Sequence, residues 1–173
     1  MHEGYLSAPW RMEYIRSLDK SGACFLCEAV AAADDQQRSE RLVLWESPLS
    51  IVLMNRYPYN NGHLLIAPKV HKGELEELSH EELLDVQLQT SESVKLLRRA
   101  MSAQGFNIGI NLGRCAGAGL PGHLHQHVVP RWGGDTNFMA VVGEVRVVPQ
   151  MISQLYDELL RCRRQMCAAG SGS

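Results

Sequence analysis

The 173-residue sequence contains no apolar run approaching the roughly 20 residues that a bilayer-spanning helix requires. Its start, Met1-His2-Glu3-Gly4-Tyr5, lacks the basic and apolar regions of a secretory leader, so a cytoplasmic protein is expected. There is no long basic run either. With 17 Lys plus Arg against 19 Asp plus Glu, the electrostatic footprint of a nucleic-acid binder is missing, while a small charged substrate remains compatible. Neither a membrane nor a nucleic acid is expected as a partner. The 5 cysteines are odd in number, and two of them form Cys24-Phe25-Leu26-Cys27, which argues for reduced thiols or a metal site rather than a disulfide framework. Internal repeats and low-complexity tracts are also absent. With 45% apolar residues, the chain can build one ordinary core and needs no second. A single domain is expected over residues 24–166, preceded by an arm (1–23) and followed by a flexible tail (167–173).

Taken in order, residues 8–20 carry Trp10, Met12, Tyr14 and Ile15 among charges, as an amphipathic helix or a covering arm would. Glu28 to Ala33 reads as a helix that dissolves into the polar run Asp34 to Arg41, expected as a surface loop. Leu42–Glu46 and Leu49–Met54 are apolar and β-prone around a Ser47-Pro48 turn, and suggest a hairpin. After the turn-dense run Asn55 to Gly62, His63–Pro68 is the next strand. Ser79 precedes Glu82 by three residues, a capping box, and the apolar spacing predicts a long helix from His80 to about Ser102, ended by Gly105 and lying on the sheet. Phe106–Leu112 alternates as a strand. Four glycines follow between Gly113 and Gly122. A short apolar segment spans Val145 to Val148, and a last helix runs from Gln150 to about Met166. The class is α+β, an antiparallel sheet with helices.

The chain is organised around Gly122-His123-Leu124-His125-Gln126-His127-Val128-Val129-Pro130. Extended backbone sends alternate side chains to one face, so His123, His125 and His127 stand together, neighbours about 7 Å apart. Packing alone accounts poorly for three such residues, because each neutral imidazole needs partners for both ring nitrogens. Two chemical uses remain: metal ligation, or a nucleophilic histidine helped by its neighbours. The glycine-rich turn just before them suits phosphate oxygens if its amides converge, and Arg114 strengthens that reading over a plain hairpin loop.

His-Leu-His-Gln-His-Val-Val resembles the motif of the histidine triad (HIT) family. The resemblance extends to Leu53-Met54-Asn55-Arg56 through Pro58, Gly62-His63 and Ile66 to His71, similar to the family's nucleoside-binding half, and to Asn111-Leu112-Gly113 before its phosphate loop. It covers about residues 24 to 138. It implies a HIT-like fold, with a five-stranded antiparallel sheet, one long helix and a C-terminal helix, usually in a homodimer. It also implies nucleotidyl transfer or hydrolysis at a nucleotide α-phosphorus. His125 would be the nucleophile, held neutral by a hydrogen bond from its other ring nitrogen to a backbone carbonyl. His127 would donate to a nonbridging phosphate oxygen, and Asn111 with the Gly117, Ala118 and Gly119 amides would hold the others. Asn55 matches a ribose-binding position, its alternative being a turn cap before Pro58, and His63 would support the triad from behind.

As in the zinc-containing HIT proteins it resembles, Cys24 and Cys27 with His71 and His123 would complete a Cys2His2 set for structural zinc, or iron. The alternative is unbound cysteines or a redox pair. A metal-bound His123 could not also protonate the leaving group. No organic cofactor is expected. Residues 107–114 and 130–138 are most similar to the bacterial branch that includes diadenosine tetraphosphate phosphorylases, in which phosphate replaces water as acceptor. Arg114, Arg131 and Trp132 would then border the polyphosphate and acceptor pocket. Two departures stand out. The loop carries Cys115, Ala118, Gly119 and Leu120 where relatives commonly have Ser or Thr, and Gln126 replaces an apolar residue on the face opposite the nucleophile. The substrate expected is a dinucleoside polyphosphate or purine nucleotide, with inorganic phosphate or water as acceptor. Other readings are a nucleoside phosphoramidate hydrolase, a metal-dependent hydrolase using all three histidines as ligands, and a non-catalytic nucleotide-binding protein.

Overall fold

In the computed structural model, residues 24–135 and 151–170 are described. Five strands, β1 (Val43–Glu46), β2 (Ser50–Met54), β3 (Leu64–Pro68), β4 (Gly105–Ile110) and β5 (Gln126–Arg131), form one antiparallel sheet in the order β1-β2-β3-β5-β4. The three strands expected from the apolar, β-prone runs before the long helix are neighbours, with β2 and β3 in register from Ser50↔Pro68 to Met54↔Leu64. The histidine-bearing strand β5 is inserted between β3 and β4, pairing Leu65↔His127 on one side and Gly109↔His127 on the other. It is therefore central, and β4 is an edge.

Because side chains alternate across a strand, the sheet buries two different sets. Helix α3 (His80–Met101) and helix α4 (Ile152–Gly170) cover one face, where Leu64, Ile66 and Val128 pack with Val86, Leu96, Leu97, Leu155 and Leu159. Helix α1 (Phe25–Val30) covers the other, where Leu26 and Ala29 meet Ile51, Leu53, Leu65 and Ala67. His127 shares its cross-strand row with Leu65, so it lies on the α1 face. The capping box forms as expected. Ser79 Oγ accepts from the Glu82 amide at 3.2 Å, and the Glu82 carboxylate accepts from the Ser79 amide at 2.7 Å, a device worth about 1 kcal/mol. Lys72 Nζ adds a 2.8 Å bond to the same carboxylate.

Several boundaries differ from expectation. The polar run after Ala33 is not all loop, since Asp35–Glu40 forms helix α2, with the Asp34 side chain accepting from the Gln37 amide at 2.8 Å. Helix α1 begins earlier than Glu28 because Cys24 acts as its N-cap, its sulfur accepting from the Cys27 amide. Helix α3 ends on Ser102 in the left-handed region (φ 51°) rather than at Gly105, which opens β4 opposite Arg131. The last helix continues to Gly170, so residues 167–170 belong to it and not to the tail; Cys167-Ala168-Ala169 contains no helix breaker. β5 starts at Gln126, which leaves His123 and His125 ahead of the ladder. Residues 1–23, the apolar segment Val145–Val148 and residues 171–173 lie outside the described residues. Among the described residues, no helix is long and apolar enough to cross a membrane.

Candidate active site

The hydrogen bonds around the histidines assign their protons. The Tyr59 amide donates to His63 Nδ1 at 3.1 Å, so the proton of a neutral His63 sits on Nε2. That Nε2–H faces His127 Nδ1 at 2.9 Å and donates to it, which places the proton of His127 on its own Nε2. Asn111 Nδ2 stands 3.5 Å from that Nε2, and because both nitrogens carry protons they are neighbouring donors and not a bonded pair. The Tyr59 ring stacks on His63 with centroids 4.8 Å apart and reaches to 5.7 Å from His127, holding both imidazoles in orientation. His63 is 1% exposed, so this relay is sealed from water on its inner side.

His125 is arranged in the opposite sense. Its Nδ1–H donates to the His123 carbonyl at 2.8 Å, which leaves Nε2 with its lone pair. Burial pushes the imidazole below its ordinary value, against the raising effect of that hydrogen bond, so the ring is neutral at pH 7. Its ring lies 5.0 Å from that of His127, and the edge of Phe25 closes one side at 6.5 Å. A neutral imidazole with a bare nitrogen, beside a second imidazole presenting an N–H, can attack an electrophile and donate to the oxygen that gains charge.

His123 is diverted to other work. Its Nε2–H donates to the Pro68 carbonyl at 2.8 Å, and its Nδ1 lies 3.2 Å from Cys24 Sγ and 3.5 Å from Cys27 Sγ. His71 Nδ1 is 3.1 Å from Cys27 Sγ. The donor atoms of Cys24, Cys27, His71 and His123 all lie within 4.8 Å of one another. Tetrahedral zinc, with Zn–S of about 2.3 Å and hence sulfurs about 3.8 Å apart, fits that spread, and a ligand histidine anchored through its other nitrogen to a carbonyl is the usual supporting arrangement. Burial raises the Cys24 thiol, but hydrogen bonds from His123 and the Cys27 amide outweigh it and bring it to about 6. Burial, and then the neighbouring Cys24 sulfur, push Cys27 up to about 11. The three histidines thus share a face but not a task, and they do not converge on one point as three ligands of a catalytic metal would.

A HIT domain family model matches residues 36–134. An AP-4-A phosphorylase of Mycobacterium tuberculosis is 35% identical over 151 residues, 85% of this chain and 77% of that protein. This chain belongs to the HIT family. An asymmetrical bis(5'-nucleosyl)-tetraphosphatase of Schizosaccharomyces pombe is 32% identical over 93 residues, 54% of this chain and 50% of that protein. The fold superimposes on a zinc-bound histidine triad family protein from Mycobacterium smegmatis with a TM-score of 0.68, at 26% identity, covering 86% of this chain and 99% of that one.

In this HIT protein a cavity of about 250 Å³ opens among Phe25, Leu53, Met54, Asn55, Tyr57 and Leu65, with Glu28, Arg41 and Arg56 at its polar wall. Asn55 lines this cavity and makes the turn cap of its second reading. Its Oδ1 caps the Tyr57 amide at 3.0 Å, and its Nδ2 stands 3.2 Å from His63 Nδ1. The loop over Gly113–Gly122 contains a 3-10 turn at Arg114–Ala116, after which Gly117 takes φ 89°, a left-handed geometry that favours glycine. Converging amides are expected over Gly117–Gly119, yet those of Gly117 and Ala118 turn inward to the carbonyls of Arg114 and Gly113. Arg114 is exposed on this loop. Arg131 is bound to Asp135 and Asn107, and the Trp132 indole N–H donates to Met101 O at 3.1 Å. Trp132 follows His127 by five residues, which is about 16 Å along an extended strand. Within one chain, then, the structure gathers His63, His125, His127, Asn55 and Asn111, and carries Trp132 to the far end of β5. Tyr59 and Phe25 complete the site without any signal in the sequence. Tyr59 hides in a turn-rich run, and Phe25 between two cysteines.

Proposed function

We propose that this protein is an enzyme that transfers a nucleotidyl group from a dinucleoside polyphosphate of the diadenosine tetraphosphate kind, with inorganic phosphate as preferred acceptor and water as the competitor. The observation carrying this reading is the opposed proton assignment, a bare Nε2 on His125 next to an N–H on His127. His125 Nε2 attacks the α-phosphorus, the P–O bond to the polyphosphate breaks, and that oxygen leaves with the electron pair as ATP. A covalent AMP–His125 remains. Phosphate then attacks the same phosphorus and the P–N bond breaks, releasing ADP and restoring neutral His125. His127 Nε2–H and Asn111 hold a nonbridging oxygen as its charge grows, a type of contact worth about 10²- to 10³-fold in rate. The cavity beside Asn55 takes the nucleoside, its apolar walls Leu53 and Leu65 against the base.

Cys24, Cys27, His71 and His123 would hold a structural zinc, which supplies a cross-link between α1, the segment after β3 and the histidine run. A polyphosphate is a good leaving group and needs no proton from His123. Homodimerisation belongs to the same reading. Among the described residues β4 is the edge of the sheet, and Ile108 on it is 49% exposed, so a second copy would extend the sheet there. The testing experiment is a product analysis of diadenosine tetraphosphate incubated with the protein, with and without phosphate. ADP plus ATP formed only with phosphate is the expected result. AMP plus ATP in both tubes would assign water as acceptor, and no turnover in either would refute the reading.

A further inference from the structure

Gln126 stands between His125 and His127 and sends its side chain the other way, into the core. It is 3% exposed and pairs across the sheet with Ile66 on one side and Ile110 on the other, in a position where an aliphatic residue would pack without any polar cost. Both ends of its amide are held by helix α3. Gln126 Nε2 donates to Thr90 Oγ1 at 2.8 Å, and Gln87 Nε2 donates to Gln126 Oε1 at 2.9 Å. Thr90 has spent its own hydroxyl proton on the Val86 carbonyl, also at 2.8 Å, so its oxygen must accept, and the orientation of the glutamine amide is determined.

The location of this residue matters as much as its bonds. The β3–β5 ladder ends at Ile66↔Gln126, and the β4–β5 ladder ends at Ile110↔Gln126. His125 is the first residue beyond both. Backbone pairing, which elsewhere sets the direction of each side chain, stops one residue short of the imidazole that has to be aimed. A leucine at 126 would fill the volume and keep the backbone pairing on either side of His125, but it would lose the directional hold that an amide bonded at both ends to one helix adds.

We propose that Gln126 is a positioning residue, whose amide, clamped by Thr90 and Gln87, sets the angle at which β5 presents His125 to the reacting phosphorus. The inference rests on the nucleotidyl-transfer reading for its kinetic consequence but not for its geometry. A misplacement of about 1 Å at a reacting group costs on the order of 10²-fold in rate, while the fold survives the loss of the Gln126 amide because Gln87 is exposed and returns to water and Thr90 keeps its bond to the Val86 carbonyl.

The test compares Gln126→Leu, Thr90→Val and the double variant with the intact chain, using diadenosine tetraphosphate and phosphate. Expected for Gln126→Leu are a melting temperature within a few degrees of wild type, KM within about threefold, and kcat reduced about 10- to 100-fold. Thr90→Val should lose several-fold in kcat, and the double variant should be no worse than Gln126→Leu, because both substitutions break one clamp. A folded Gln126→Leu with kcat within about twofold of wild type, or a double variant whose loss is the product of the two, overturns the proposal. The proton NMR resonance of His125 Nδ1–H gives a second reading independent of turnover. It should be single and sharp in the intact chain and shifted or broadened in Gln126→Leu, and an unchanged resonance also overturns the proposal. If the wild type turns over no dinucleotide, the functional reading has failed and this resonance alone decides the positioning role. If Gln126→Leu does not fold, Thr90→Val carries both measurements.

Discussion

Gly73→Ala tests the joint between the metal cluster and the histidine segment. A β-carbon added at Gly73 would sit 2.7 Å from the Pro121 carbonyl oxygen and 3.3 Å from Gly122 Cα, both backbone atoms that cannot swing aside. On one side of that contact is His71, and on the other is the turn leading to His123. The Lys72 carbonyl, one residue before Gly73, accepts from the Leu124 amide at 2.7 Å and laces the two segments together. Relieving the clash means parting them by several tenths of an ångström. Overpacking of this sort costs about 1 to 3 kcal/mol, and in a domain of this size each kcal/mol lowers the melting temperature by about 2 to 4 °C. The expected drop is therefore about 2 to 12 °C, with weakened zinc retention on passage through a desalting column. Gly109→Ala is the control. Nothing lies within 4 Å of its added carbon, and β4 continues through it, so stability should hold or rise by up to about 1 kcal/mol. Thermal unfolding of both variants followed by circular dichroism decides the matter. A Gly73→Ala variant that melts within a degree of wild type, or that loses no more than Gly109→Ala, would refute the reasoning.

His125→Ala should abolish turnover, by about 10⁴-fold or more, with melting temperature and zinc content unchanged; retained activity in a phosphate-dependent ADP assay would contradict the assigned nucleophile. His63→Phe keeps the stack on Tyr59 but removes the acceptor of the Tyr59 amide and the donor to His127 Nδ1, so a loss of about 1 to 3 kcal/mol in urea unfolding is expected, together with reduced kcat. Chelation should remove activity gradually and in step with a falling melting temperature, both restored by zinc. Immediate loss without melting would instead mean a metal that takes part in the reaction. Glu82 is held below the usual carboxylate range by its bond to Lys72 and then by the Ser79 amide. A depressed carboxylate stabilises above its unfolded value of about 4.3 and loses that contribution as pH falls through the folded one, so the melting-temperature gap between wild type and Glu82→Gln should narrow below about pH 4. A gap constant from pH 7 to pH 3 would contradict it.

The sheet and helix α3 were legible because their signals are local. Short apolar, β-prone runs mark β1 to β3, alternation marks β4, and Ser79 with Glu82 marks the helix start. Helix α2 escaped because Asp35–Glu40 has no apolar stripe and no buried residue, although Asp34 already stood in the capping position. The beginning of α1 escaped because a cysteine rarely acts as an N-cap. In the site, the period-two spacing put the three histidines on one face, but their division of labour depends on partners far away in the chain. His123 meets cysteines 99 and 96 residues earlier, and His127 meets His63 from another strand. The same holds for Gln126, which registers in the sequence only as a departure from an apolar pattern. Its meaning lies in Thr90 and Gln87 on a helix that packs against the opposite face.

The chain of bonds from Tyr59 through His63 to His127 ends inward on a peptide nitrogen, and this has a consequence for the reaction cycle. For His127 to have a donated Nε2 proton replaced from within, His63 would have to pass its Nε2 proton to His127 Nδ1 and collect another at its own Nδ1. A peptide N–H cannot supply one at physiological pH. The relay is thus closed at its inner end, and it works as a stop rather than a wire. Any proton that His127 gives up from Nε2 during turnover must return through the same face, from product or water, and the enzyme re-enters each cycle with the same nitrogen protonated.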